Sequence, residues 1–253
     1  MKKPVAVLSL TAFALFVAAL AFAVRRPDPA SMRPYVLGIL VKGPEWTAER
    51  TPHTDSIQAG HMANIQAMAD RGVLLGAGPF AGNERERGLF IFKDIPLDSA
   101  ATLVRMDPAV KAQRLMVELY RWYAPVGIGD AYRERAKLRP DHRDSMIAIP
   151  MVFLEKPREE PKIDSLALAA AMEKHVGMVL DQLQSSRMLA AGPTMDSQRL
   201  VGLYFYGTDS TTAAQLLKDD PTIQNGHYAI TMRQWWSAWG VLPPKPTVKE
   251  LGP

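Results

Sequence analysis

The sequence predicts an α+β fold in which a strand-helix-strand-strand-helix-strand unit occurs twice and the two copies pack sheet to sheet. Three observations lead there: an internal repeat, the order of elements within it, and the bare sheet face that such a unit leaves. With His61 set on His175, an offset of 114 residues, Gly78-Pro79 falls on Gly192-Pro193 and Gly88-Leu89-Phe90 on Gly202-Leu203-Tyr204. After a one-residue slip, Asp107-Pro108 falls on Asp220-Pro221 and Trp122 on Trp235. A period this long is that of a small domain present twice, not of a solenoid.

The elements follow in order. Residues 35–41 form a short apolar run between Pro34 and Gly43-Pro44 and read as a strand. Residues 45–54 read as loop. Residues 56–71 carry Ile57, Ile65 and Met68 at helical spacing, closed by Gly72. Residues 73–80 and 88–93 are the next two strands, joined by a polar hairpin. Residues 97–105 form a helix with one apolar side, broken by Asp107-Pro108, which opens a further short turn. Residues 115–123 are the fourth strand. The second copy gives strands at 146–154, 188–194, 200–206 and 228–236 and helices at 166–186 and 210–218.

This order is the split-βαβ, ferredoxin-like arrangement: an antiparallel four-stranded sheet with both helices on one side. The other face needs cover, and the second copy supplies it. The expectation is an internal pseudo-dimeric α+β barrel in a monomeric chain, following an N-terminal apolar helix. The segments are a leader at 1–26, repeat one at 34–125, a linker at 126–145 with a short exposed helix, repeat two at 146–239, and a proline-rich tail at 240–253.

Composition narrows the function. The chain has 253 residues, 47% of them hydrophobic and 22% charged, which is ordinary for a globular protein. It has no cysteine, which excludes disulfides, thiolate catalysis and cysteine-bound zinc. The net charge is +4, and without Lys2 and Lys3 the balance is 28 basic against 26 acidic residues. No basic stripe with interleaved aromatics appears, so no nucleic-acid partner is expected. Met1-Lys2-Lys3 followed by an uncharged run from Pro4 to Val24 reads as an export signal or a membrane anchor. Ala21-Phe22-Ala23 has the form of a cleavage site, whereas the length of the run suits a spanning helix. Both readings place the globular part outside the cytoplasm, exported or held at the membrane by an uncleaved helix.

Ala59-Gly60-His61 on the first helix, Gly72 to Pro79, Gly88 to Phe92, Met106 to Val110 and Trp122 to Pro125 together resemble the YCII-related family of dimeric α+β-barrel proteins. In repeat two, His175, Ala191-Gly192-Pro193, Gly202 and Asp220-Pro221 keep the pattern. The resemblance implies a site built from the helix histidine and the aspartate of Asp-Pro: His61 with Asp107, and His175 with Asp220. It also implies chemistry on small ring compounds, of lyase, isomerase or dehalogenase type.

Two readings of these residues stay open. Ile57, His61, Ile65 and Met68 share one helix face, as do Leu168, Met172, His175 and Val179, so both histidines point toward a sheet. A core histidine satisfied by its aspartate explains that placement. Equally, a shielded imidazole oriented by a carboxylate moves protons near neutral pH. The corresponding functions are a small-molecule enzyme or binder without cofactor or metal, and a non-catalytic binding or scaffolding module at the cell envelope.

Other candidates carry less. His53 and His61 have no metal-ligand spacing. His142 lies in the linker, and His227 reads as an edge residue. Gly76 and Gly78 precede no helix, so they form no dinucleotide fingerprint, and a turn accounts for them. Arg87 and Arg199 read as solvated hairpin arginines that could meet an anionic ligand. Trp122, Trp235, Trp236 and Trp239 read as packing between the sheets.

Overall fold

A computed structural model describes residues 31–138 and 145–243, apart from residues 160, 162, 163, 196 and 198. The apolar leader, His142 and most of the proline-rich tail lie outside the described residues. Among the described residues no helix is long and apolar enough to cross a membrane.

The first half runs β1 (Met32–Lys42), α1 (Pro52–Asp70), β2 (Leu74–Pro79), β3 (Glu86–Phe92), α2 (Leu97–Arg105), α3 (Pro108–Lys111) and β4 (Leu115–Pro125). Then come α4 (Asp130–Leu138) and the second half: β5 (Met146–Glu155), α5 (Ser165–Gln184), β6 (Met188–Pro193), β7 (Leu200–Tyr206), α6 (Ser210–Lys218), α7 (Pro221–Gln224) and β8 (Ala229–Ala238). The two sheets have the orders β2-β3-β1-β4 and β6-β7-β5-β8, and every pairing is antiparallel. This is the expected α+β architecture in duplicate.

Strand alternation sorts the core into layers, since successive side chains point to opposite faces. From β1, Tyr35, Leu37, Ile39 and Val41 point into a shared interior where they meet Ile149, Met151, Phe153 and Phe205 of the other sheet. Val36 and Leu40 point the other way, under α1, with Phe90 and Phe92. Val152, Leu154, Tyr204 and Tyr206 form the corresponding outer layer of the second half. Each sheet is thus buried on both faces, by its own helices and by its twin.

Closure is made at two seams. Phe80 bridges to Trp235 and Trp122 to Thr194, with Ala81 N donating to Gln234 O at 2.8 Å and Met195 N to Arg121 O at 2.9 Å. The tryptophans reciprocate: Trp122 Nε1 donates to Gly192 O (3.0 Å) and Trp235 Nε1 to Gly78 O (3.1 Å). Both indoles are fully buried.

Gly78 therefore has a different cause from the turn expected for it, and Gly192 shares that cause. Gly78 and Gly192 lie in strands and are absent from the glycines with positive φ. A Cβ on Gly78 would sit 1.8 Å from Trp236 O, and one on Gly192 would sit 1.8 Å from Tyr123 O. Only glycine lets the two backbones meet. Trp236 and Trp239, by contrast, are about half exposed (41% and 49%) and are not sheet-packing residues. Trp239 lies under the Arg135 guanidinium, 4.7 Å from its ring centre.

Three further expectations shift. α1 begins at Pro52, inside the expected loop, because Thr51 caps it and exchanges hydrogen bonds with Thr54 in a capping box. The linker does more than span: Ile128 is buried in the barrel core. On α5, Leu168 is 39% exposed, and Ala171 takes its place on the buried face.

Candidate functional site

The two His–Asp pairs form where each long helix crosses a short one. Asp107 is the N-cap of α3 and Asp220 that of α7, each followed by proline at the first helical position. A capping aspartate satisfies orphan N–H groups, and proline fits where no N–H is needed. The Asp-Pro motif therefore has a local folding reason. Asp107 Oδ1 accepts from Ala109 N, and Asp220 Oδ1 from Thr222 N, both at 2.9 Å. Each aspartate has a second oxygen, which reaches a histidine.

His61 Nδ1 lies 2.8 Å from Asp107 Oδ2 and 2.9 Å from Oδ1, and His175 Nδ1 lies 2.6 Å from Asp220 Oδ2. An ionised carboxylate only accepts, so each Nδ1 is the protonated nitrogen of its ring. All four residues are buried. Asn64 Nδ2 donates to Asp107 Oδ2 at 2.9 Å. In the second half Thr222 Oγ1 takes that part, donating to Asp220 Oδ1 at 2.6 Å. Burial raises the pKa of both aspartates, but the hydrogen bonds and the histidine charge outweigh it, leaving both carboxyls below the usual range. Gly60 allows the first helix crossing to be tight, since a Cβ there would lie 2.9 Å from Pro108.

The halves differ at the other ring nitrogen. Phe90 and Tyr204 occupy matching positions on β3 and β7, each against its histidine ring, with centroids 6.0 and 6.2 Å apart. The Tyr204 hydroxyl lies 3.0 Å from His175 Nε2. Burial, and then the charge of Asp220, push this phenol well above its ordinary range, so it remains an O–H donor. His175 is thereby held at both nitrogens. Tyr228 packs edge-on to the same ring at 5.8 Å. Phe90 has no hydroxyl to offer, and His61 Nε2 has no hydrogen-bond partner among the described residues.

His61 instead lines a cavity of about 410 Å³. Phe90, Ile65, Leu40 and Leu115 form its apolar wall, Gly78 and Pro79 its seam side, and Trp46, Arg87 and Tyr132 also line it. Arg87 is thus a cavity residue and not a solvated hairpin arginine. Its guanidinium stacks 4.8 Å from the Trp46 ring centre. Arg199 is solvated, as expected, and pairs with Glu155 at 3.1 Å. His53 is exposed. His227 is not an edge residue: it is buried, and its Nε2 has no partner. No group of three or more His, Cys, Asp or Glu side chains able to hold a metal ion occurs among the described residues.

No family model matches the chain, and no curated protein does. Solved structures do match. An arginine-to-lysine variant of chlorite dismutase from Candidatus Nitrospira defluvii superposes with a TM-score of 0.50 at 10% identity, over 82% of this chain and 92% of that one. An arginine-to-glutamate variant of the same protein gives 0.50 at 11%, over 80% and 90%. A heme-binding protein from Thermus thermophilus gives 0.47 at 11%, over 83% and 95%. The structural neighbours are chlorite dismutase-like proteins with the dimeric α+β-barrel fold. At such identities the likeness concerns the fold, because one fold hosts many functions.

Proposed function

We propose that the first repeat binds a small organic molecule beside His61 and moves a proton at Nε2, with Asp107 orienting the ring. One observation carries this reading: His61 Nε2 opens on a cavity, whereas the equivalent nitrogen of His175 is capped by Tyr204. With Nδ1–H given to Asp107, the neutral ring presents a lone pair at Nε2 and can act as a base. Asp107 then stabilises the imidazolium, and Asn64 and Ala109 N–H hold the carboxylate in place. The reaction types in keeping with a YCII-related protein are elimination, isomerisation and dehalogenation of small rings. The leader suits a place of action outside the cytoplasm.

Heme, which one neighbour binds, does not fit at the second histidine. In the second half the Tyr204 hydroxyl occupies the nitrogen that would ligate iron.

A second reading rests on the caps. Asp107 and Asp220 each join a long helix to a short one, so both pairs also serve as clamps in a non-catalytic binding or scaffolding module. NMR of the imidazole signals in the full chain, with a panel of small-ring compounds, separates the two. In the enzyme or binder reading, ligands move the His61 signals and leave those of His175 in place, and His61→Gln abolishes the response while the protein stays folded. No response at His61 across the panel, with His61→Gln only lowering stability, selects the clamp.

A further inference from the structure

We infer that the cavity at His61 selects an anion, namely a small monocarboxylate with an apolar body, and that Arg87 is the residue that reads its charge. The inference rests on the reading of this cavity as a ligand site, though not on proton transfer within it. Its first support is the charge inventory of the wall. Among the described residues, one arginine and one histidine line the cavity, and no aspartate or glutamate does.

The second support is a set of cations around the Trp46 ring. Arg87, Arg114 and Lys42 lie 4.8, 5.5 and 5.9 Å from its centre. Each donates to a backbone carbonyl: Arg87 to Gly82 O, Arg114 to Thr47 O and Lys42 to Asn83 O. None of the three has a carboxylate partner among the described residues. The other arginines nearby are neutralised: Arg85 pairs with Glu86 and Glu118, and Arg233 with Glu86. Three cations without an ion-pair partner therefore surround a ring that lines the cavity. Such a field draws anions in and weakens with salt.

The third support is the guanidinium itself. Arg87 gives Nη1 to Gly82 O, and its Nε is buried without any partner. A buried, unmade hydrogen bond on a charged group is costly, and it leaves the guanidinium short of partners. Nη2 is not enclosed in this way and has no hydrogen-bond partner among the described residues, so it is the nitrogen free to donate to a carboxylate. The remaining wall, Phe90, Ile65, Leu40 and Leu115, suits an apolar or flat ligand body. A carboxylate on Arg87 and a ring along Phe90 would present the ligand to His61.

Calorimetry and NMR of the full chain test this with paired ligands: benzoate, phenylacetate and butyrate, each against its neutral amide. The expected result is that at least one acid binds about tenfold or more tightly than its amide, with shifts at His61 and the Trp46 indole. Arg87→Gln should erase that preference and Arg87→Lys should restore part of it, while His175 signals certify an intact fold. Equal binding of acids and amides, or an Arg87→Gln protein that keeps the preference, overturns the inference and leaves the cavity as a ligand site. Failure of every acid and amide to move His61 overturns both.

Discussion

The contrast between Phe90 and Tyr204 is open to direct exchange. Tyr204→Phe removes one hydroxyl from a residue 3% exposed and leaves Nε2 of His175, a residue 8% exposed, without its donor. The lost oxygen is small, so cavity creation adds little, and the dominant penalty is a buried acceptor left unpaired. That amounts to about 1–3 kcal/mol, which in a chain of this size lowers the thermal midpoint by about 2–4 °C for each kcal/mol. Phe90→Tyr sets the same hydroxyl on His61 Nε2. It gains about 0.5–1.5 kcal/mol at most and should silence the response of His61 to ligands. Urea unfolding followed by circular dichroism gives the free energies, and imidazole NMR reports which nitrogen is engaged. A Tyr204→Phe protein within about 0.5 kcal/mol of the parent, the ordinary range for a neutral surface change, would refute the assignment of this hydroxyl as a cap.

Three other outcomes are expected. Because the native Asp107 and Asp220 carboxyls lie below their usual range, their contribution to stability is complete above the unfolded carboxylate pKa of about 3.9 and fades as pH falls toward the lowered native value. Asp107→Asn and Asp220→Asn should each flatten the acid limb of a stability profile taken between about pH 5 and pH 3, and an unchanged slope would count against the pairing. Gly78→Ala should destabilise by about 2 kcal/mol or more, since its Cβ meets the Trp236 carbonyl at 1.8 Å and the seam must part. Gly177→Ala, in α5 with nothing within 4 Å of the added carbon, should instead stabilise by up to about 1 kcal/mol. Equal effects from these two glycines in denaturant titrations would contradict the seam geometry.

Much of this was legible in the sequence, and the exceptions share a cause. Strands showed as apolar runs between Gly and Pro, and α2, α6 and β7 have the limits their spacing predicts. The repeat and the bare sheet face together implied the barrel. α1 was placed late because its capping box uses Thr54 where glutamate or glutamine is the usual partner. Gly78 was misread because the carbonyl it approaches belongs to the other repeat, a contact without local trace. The pairing of each histidine with its aspartate was anticipated from the aligned halves. The difference between Phe90 and Tyr204 stood in that alignment too, but its meaning depends on β3 and β7 carrying these rings beneath the helix. Arg87 looked like a surface residue for the same reason: the Trp46 ring it stacks on is distant in sequence.

Both seams of the barrel run between the halves, and both halves are one molecule. A barrel assembled from two identical chains comes apart on dilution, and any substitution in it is made twice. Here the partner is always present at a local concentration set by the connection, so closure does not depend on how much protein is made. Either half, produced alone, would expose an entire apolar sheet face to water.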